Sequence, residues 1–313
     1  MKRCLLVGGA GFIGEALARA LLLTGERSVC ILGRQAAPGR ALPQGVRYVG
    51  ATGQGSDSVL GQLLDEADEV VDLAYATVPK TSFDDPVHDV LANLPFSVAL
   101  LKMASERPLL RFILVSSGGT VYGNPQYLPI DEHHPTVPLS PYGITKLALE
   151  NYGLMYHRLA GLPLTVVRPS NPYGPGQAGF MGQGFIGTAI RAARESLPLQ
   201  IFGERGTVRD YIYVDDLAEA IVAALTHGQP GAIYNAGSGI GHDNVQVLDR
   251  LQGLVQQAGL SLSVTHAPAR PFDVAANVLS VARLTYETGW RPRTDLMDGL
   301  NRTWAAASEI RPA

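Results

Sequence analysis

Tyr142 and Lys146 stand four residues apart in the run SPYGITKLALE at 140–150. Ser140 suits a helix N-cap and Pro141 the first helical position, so the run predicts a helix with both side chains on one face. A phenol with its usual pKa of about 10 is a poor base at neutral pH, and a neighbouring ammonium favours the phenolate. Such a pair could take the proton of a hydroxyl on a carbon undergoing oxidation. Tyrosine and lysine at this spacing are common in ordinary helices, so the pair gains its force from a second motif.

That motif is GGAGFIG at 8–14, directly after an apolar run and directly before an amphipathic one. Gly8, Gly11 and Gly14 have the three-residue spacing of a dinucleotide fingerprint. Gly8 would allow the tight turn, Gly11 the approach of backbone to a pyrophosphate, and Gly14 close packing of helix on strand. The helix N-terminus would then meet the phosphates with free N–H groups and the positive end of its dipole. The next strand ends Leu32-Gly33-Arg34. A carboxylate there would favour NAD, and an arginine accommodates the extra phosphate of NADP. Arg34 could meet that phosphate, stack on adenine or stand in solvent, so the choice of NAD or NADP stays open.

The elements that must hold these residues are legible as alternating patterns. The apolar run at 4–7 reads as a strand covered on both faces, and strand-like runs recur at 28–32, 46–49, 69–74, 111–115 and 164–168. Helical spacing over 12–24, 90–106 and 142–160 separates several of them, with Gly25 at a C-cap position. Strand, helix, strand at this spacing predicts an α/β fold, a Rossmann-like doubly wound parallel sheet. From Pro172 to Gly184 prolines and glycines crowd together, a loop signal. Residues 1–170 are expected to form the dinucleotide-binding domain, with a segment near 210–240 returning to it. Residues 171–313 are expected to form mainly a smaller α/β substrate-binding part.

Composition narrows the partners. Of 313 residues 46% are hydrophobic and 17% charged, and the net charge of -3 offers no basic field for nucleic acid. No apolar stretch is long enough to span a bilayer, and MKRCLLVGG lacks a secretory signature, so a cytoplasmic protein is expected. Cys4 and Cys30 read as reduced thiols in strands. His133 and His134 precede Pro135 and suit a loop; no metal is expected.

The matches to one family run almost end to end. GGAGFIG is followed by SSGGTVYG at 116–123, SPYGITK, VVRPSNPYGPG at 166–176, VRDYIYVDDLA at 208–218, RPFD at 270–273 and TGWRP at 288–292. The chain resembles an extended short-chain dehydrogenase/reductase, and most closely the UDP-glucose (UDP-galactose) 4-epimerase group. The resemblance implies that Tyr142 takes the sugar hydroxyl proton while hydride passes to the nicotinamide, with Lys146 on the nicotinamide ribose. It implies cofactor contacts from Gly8, Gly11, Phe12, Ile13, Gly14, Arg34, Leu73, Ala74, Asn93 and Pro169 beside that pair. A homodimer through 90–106 and 142–160 is the family expectation.

One catalytic position departs from the family pattern. Counting back from Val121-Tyr122-Gly123, the usual serine or threonine falls on Gly118; counting back from Tyr142, it falls on Ser117. If 118–120 continue a strand, Thr120 shares a face with Gly118 and reaches the same pocket. Thr120 is favoured for the third role and Ser117 is second. Sugar dehydratases and decarboxylases of this fold carry an acid where Thr120 stands, which favours an epimerase. A reductase consuming NADPH and a non-catalytic nucleotide-binding protein are the alternatives.

For a UDP-sugar substrate, the resemblance implies that Asn171, Arg209 and Arg270 hold the diphosphate, as planar cationic forks suit phosphates. It places Asp273 near the nucleoside ribose and Phe202 against the base. Asn277 falls beside the sugar's 2-substituent, where a bulky tyrosine excludes N-acetylated sugars in some relatives. Asparagine is smaller and is expected to admit them.

Overall fold

Alternate residues of the central strands pack to opposite sides of one sheet, which explains their unbroken apolar character. The computed structural model describes residues 1–51, 56–177, 184–270 and 273–309. Its strands are β1 (Lys2–Val7), β2 (Arg27–Gly33), β3 (Arg47–Gly50), β4 (Glu69–Asp72), β5 (Arg111–Val115), β6 (Leu164–Pro169) and β7 (Asn171–Tyr173). They continue with β8 (Leu199–Phe202), β9 (Val208–Tyr213), β10 (Ile233–Ala236), β11 (Gly241–His242), β12 (Val264–Ala267) and β13 (Ala276–Asn277). The first five helices are α1 (Phe12–Leu23), α2 (Ser56–Glu66), α3 (Pro79–Asp84), α4 (Pro86–Ser105) and α5 (Pro141–Ala160). They are followed by α6 (Phe185–Glu195), α7 (Val214–His227), α8 (Asn244–Gln257), α9 (Ala282–Thr288) and α10 (Leu296–Glu309).

The large sheet has the order β10-β6-β5-β4-β1-β2-β3, and every pairing in it is parallel. Leu6, Ile31, Val71, Ile113 and Val167 join Leu17 and Leu21 of α1 and Leu217 and Ile221 of α7 in one core. Leu5, Val70, Phe112, Leu114 and Val166 join Leu60 of α2, Leu100 of α4 and Leu149 of α5 in a second. This is a Rossmann-like doubly wound sheet. Strand order reverses between β1 and β4, and at such a switch point ligands bind outside the carboxyl ends of the strands. Gly8 and Leu73 leave the sheet there.

A third core lies beyond the sheet, where Tyr173, Tyr211 and Tyr213 pack with α6, α8 and Trp304 of α10. Its strands form two small groups: β9 flanked by β7, β11 and β13, and the parallel pair β8 and β12. No helix among the described residues is long and apolar enough to cross a membrane.

Several boundaries differ from the sequence reading. Strand β4 stops at Asp72 rather than 74, because Ala74 N–H turns back to the Asp72 carboxylate at 3.0 Å. Helix α4 starts at Pro86, earlier than 90, with Asp85 as N-cap accepting from His88 N–H at 2.8 Å. Asn171–Tyr173 forms a short strand on β9 inside the segment read as loop; Gly179 and Gly182 lie outside the described residues. Gly25, with φ +67°, follows α1 as expected.

Candidate active site

The glycine loop is shaped by close approach. Gly8 has φ +75°, and a Cβ there would lie 2.6 Å from the Ala74 Cα. A Cβ on Gly14 would lie 2.1 Å from the Gly9 carbonyl oxygen, so α1 packs tightly on the turn. Gly11 differs: nothing lies within 4 Å of its Cβ position, and as N-cap of α1 it has no side chain to satisfy the first N–H groups. Phe12 and Ile13 begin the helix and rest partly on the core. An uncapped N-terminus opening at the switch point fits a dinucleotide pyrophosphate. Arg34 is exposed just beyond β2. At Gly33 a Cβ would lie 2.3 Å from the Tyr48 hydroxyl, so the side-chain space at that position is filled.

Helix α5 is built as its sequence predicts. Ser140 Oγ accepts from Gly143 N–H at 3.1 Å, and Pro141 is the first residue. Lys146 is buried, and its Nζ donates to the Val115 carbonyl oxygen at 2.9 Å. Burial pulls its pKa down to about 8, against the opposing effects of Asp72, Glu150 and Asp89. Burial also raises the Tyr142 phenol, and the Asp89 charge adds to that rise. Lys146 Nζ lies 5.9 Å from the Tyr142 ring centroid, and nearer to Tyr75 at 4.1 Å.

The segment expected to supply the third catalytic group is a turn and not a continued strand. Strand β5 ends at Val115, and Thr120 N–H and Val121 N–H both reach back to the Ser117 carbonyl oxygen, at 3.3 and 3.2 Å. Gly118 and Thr120 therefore share no strand face. A Cβ on Gly118 would meet the Leu279 side chain at 2.6 Å and the Arg168 and Pro169 carbonyl oxygens at 3.0 and 3.1 Å. Backbone and core fill that position. Thr120 still stands by α5, since its carbonyl oxygen lies 2.7 Å from the Cβ position of Gly143. Its Oγ1 is buried with no partner among the described residues, and Ser117 is partly buried.

The other residues expected to meet the cofactor lie at the same end of the sheet. Leu73 N–H bonds the Val7 carbonyl, and the Pro169 carbonyl accepts from Gly118 N–H. Asn93 is buried, with Oδ1 accepting from Ala76 N–H at 2.6 Å and Nδ2 donating to Thr77 Oγ1 and the Asp89 carbonyl. Both its N–H bonds are spent on protein, so Asn93 shapes the loop after β4 from beneath.

Of the residues expected to meet substrate, Arg209, Asn277 and Asn171 lie on β9 and its partner strands β13 and β7. Arg209 and Asn277 are register partners of β9 and β13, and so share a face. Asn277 is buried; its Nδ2 donates to the Gly118 carbonyl at 3.0 Å and its Oδ1 has no partner among the described residues. Arg209 donates to the Val208 and Val274 carbonyls, and burial lowers its pKa. Asn171 Nδ2 donates to the Asp210 carbonyl at 3.2 Å. Arg270 lies 4.0 Å from the Phe202 ring centroid and pairs with Asp273 at 2.8 Å. Phe202, Arg270 and Asp273 thus come together, the arginine charge shared with Asp273. Pro271 and Phe272 lie outside the described residues. His134 uses Nδ1 on the Pro135 carbonyl and Nε2 on Gln126 N–H, a loop fastening.

Asp89 and Glu150 are among the groups that the sequence reading does not mark. Asp89 is fully buried, accepting from Thr77 Oγ1 and, at 2.7 Å, from Thr145 Oγ1. Glu150 is buried behind Lys146, paired with Arg168 at 2.6 Å and bonded by Ser116 Oγ. Arg168 also donates to the Tyr122 hydroxyl, which donates to Asn235. Glu150 was findable, being four residues past Lys146 on the same helical face. Its partner on β6 has no local signal.

A doubly wound parallel sheet whose switch point meets a tyrosine–lysine helix defines an enzyme of the extended short-chain dehydrogenase/reductase type. The model of the NAD dependent epimerase/dehydratase family matches residues 4–237, and the chain belongs to that family. NAD is its cofactor. The chain is 34% identical to a UDP-glucose 4-epimerase of Azospirillum brasilense, covering 96% of this chain and 90% of that one. It is 30% identical to a dTDP-glucose 4,6-dehydratase of Streptomyces antibioticus, over 99% and 96% of the two chains. The crystal structure of a Thermus thermophilus UDP-glucose 4-epimerase complex with NAD is similar at TM-score 0.88 and 32% identity, covering 97% of this chain and 98% of that one.

Proposed function

We propose that the protein is a nucleotide-sugar epimerase that inverts C4 of a UDP-hexose, UDP-glucose or UDP-galactose and their N-acetyl forms included. Residues 1–170, with the return through 210–240, hold NAD; residues 171–313 mainly hold the UDP-sugar. NAD held at the glycine loop of Gly8, Gly11 and Gly14 would supply a reversible hydride acceptor for the sugar carbon. The chain's own part is proton handling and orientation. Tyr142 takes the proton of the 4-hydroxyl and later returns it, and the Lys146 ammonium favours the phenolate. Arg209, Arg270 and Asn171 hold the diphosphate while the oxidised sugar turns to present its other face.

The observation that carries this reading is Thr120, a buried unpartnered hydroxyl where dehydratase chemistry would need a carboxylate. A hydroxyl can orient the reacting oxygen but cannot serve as acid and base for elimination. Incubation of the enzyme with UDP-galactose, followed by NMR, should show UDP-glucose at equilibrium with no net change in NAD. Tyr142→Phe should abolish turnover and keep the cofactor; an active Tyr142→Phe enzyme overturns the assignment.

Exposed Val87 and Leu91 on α4 and Ile144 on α5 support a homodimer through these helices. Leu91→Glu should then convert dimer to monomer in light scattering.

A further inference from the structure

Tyr75 belongs to no motif, yet it touches both members of the proposed catalytic pair. It follows Leu73 and Ala74 in the loop after β4, and Ala74 is packed against Gly8. The Lys146 ammonium lies 4.1 Å from the centroid of the Tyr75 ring. The Tyr142 ring lies 4.7 Å from the same ring, at an interplanar angle of 63°, edge towards face. The Tyr75 hydroxyl lies 3.5 Å from both Asp89 carboxylate oxygens and from the Tyr142 carbonyl. One aromatic side chain thus spans the glycine-loop side of the site, the catalytic helix and the buried Asp89.

We propose that Tyr75 is a positioning residue for the Tyr142–Lys146 pair, its ring face holding the Lys146 ammonium and its packing fixing the Tyr142 phenol. This rests on the epimerase reading of the site. An ammonium has three N–H donors. In Lys146 one goes to the Val115 carbonyl, and the negative face of the Tyr75 ring meets the charge from another side. Lys146 is buried, so solvent screens the ring's attraction for the cation less than it would at the surface. The charged and titratable groups acting on Lys146 are Asp72 at the end of β4, Asp89 on α4 and Glu150 on α5, with the two tyrosines. The three carboxylates favour the ammonium and burial opposes it, leaving the pKa at about 8, close to neutral pH. Loss of the ring face removes one support of the charged form.

The test uses the NAD-loaded enzyme with three variants. Tyr75→Leu keeps the space apolar and removes the ring; it should lower kcat roughly ten-fold, with KM for the UDP-sugar changed little, and move the alkaline limb of activity to lower pH. Tyr75→Phe keeps the ring and loses only the hydroxyl, and it should restore both kcat and the position of the limb. If Tyr75→Leu fails to retain NAD, Tyr75→Met carries the same comparison. Unchanged kcat and limb in the ring-less variant overturn the proposal, as does an equal loss in Tyr75→Phe. Tyr142→Phe distinguishes the levels: if it stays active the epimerase reading fails, and if it is inactive while Tyr75→Leu is normal only the role of Tyr75 fails.

Discussion

Asn277 donates its side-chain N–H to the carbonyl oxygen of Gly118, 3.0 Å away, across 159 positions of sequence. The bond ties β13 to the turn that follows β5, at the carboxyl end of the large sheet. A separate feature, the crowding of the Gly118 Cβ position, explains why a hydroxyl is missing at 118. Gly118 is walled in by Leu279 and by two carbonyl oxygens of β6, so the position serves backbone contact rather than chemistry. The Asn277 Oδ1 is left buried and unpartnered, an acceptor facing no donor of the described residues. A buried acceptor without a donor is costly, and a ligand that brings one relieves the cost.

That acceptor leads to a prediction on substrate range. An acetamido N–H at the sugar's 2-position is such a donor, as is a 2-hydroxyl, and asparagine leaves more room than tyrosine. The enzyme is expected to turn over UDP-GalNAc or UDP-GlcNAc beside the plain hexoses. Asn277→Tyr should cut kcat/KM for the N-acetyl forms roughly ten-fold or more relative to the plain ones. Absence of N-acetyl turnover in the unaltered enzyme, with brisk hexose turnover, refutes the size argument.

Thr120→Val separates catalysis from stability. The hydroxyl is buried without a partner, so its removal should leave stability unchanged or raise it by about 1 kcal/mol. Turnover should fall roughly ten- to a hundred-fold if that hydroxyl orients the reacting oxygen. Ser117→Ala is the matching control. A greater loss in Ser117→Ala than in Thr120→Val would move the third role to Ser117.

Legibility in the sequence followed the range of the physics. Ser140, Pro141, Tyr142 and Lys146 act within one helical turn, and GGAGFIG within one strand-to-helix junction, so spacing alone predicts their placement. The parallel sheet was readable because strands buried on both faces lose polar alternation. The end of β5 was not, since nothing local distinguishes a Gly118-Gly119 turn from a strand continuing towards Thr120. Asp89, Tyr75 and the partner of Glu150 were hidden for another reason. Each is defined by contact between segments far apart in the chain, and a buried carboxylate looks in sequence like any solvated one. Asn93 shows the converse. The resemblance marks it as a cofactor contact, but its amide is consumed by Ala76, Thr77 and Asp89.

Glu150→Ala should be the most damaging single change behind the catalytic helix. Glu150 and Arg168 are both buried and bonded at 2.6 Å, with Ser116 and Tyr122 completing the network. Removing one partner strands the other charge in the interior, which typically costs about 3–5 kcal/mol. Denaturant unfolding of the purified variant measures this directly. Replacing both residues by apolar ones of similar volume should recover much of the loss, because the desolvation of both charges is then avoided. A loss no greater than that of an exposed pair such as Arg302–Asp298 would contradict the buried-pair account.

The pH dependence of kcat/KM tests the electrostatics of the catalytic pair itself. Burial raises the Tyr142 phenol, and Asp89 adds to the rise, so Tyr142 alone would hold its proton at neutral pH. In the proposed mechanism the phenolate is favoured by the Lys146 ammonium, whose Nζ lies 5.9 Å from the Tyr142 ring centroid. Burial lowers the Lys146 pKa to about 8, so its ammonium is present below that pH and is lost as pH rises through it. The sign is then fixed: kcat/KM should fall on the alkaline side with a midpoint near pH 8, even though an ordinary lysine would stay charged to about 10.4. Lys146→Met lacks the charge at every pH and should be slow throughout, with no alkaline limb of its own. Lys146→Arg keeps a charge across the whole range and should also lose the limb, while misfitting the Val115 carbonyl that now accepts from Nζ. An unaltered enzyme whose kcat/KM stays flat to about pH 10 would show that the ammonium does not govern Tyr142.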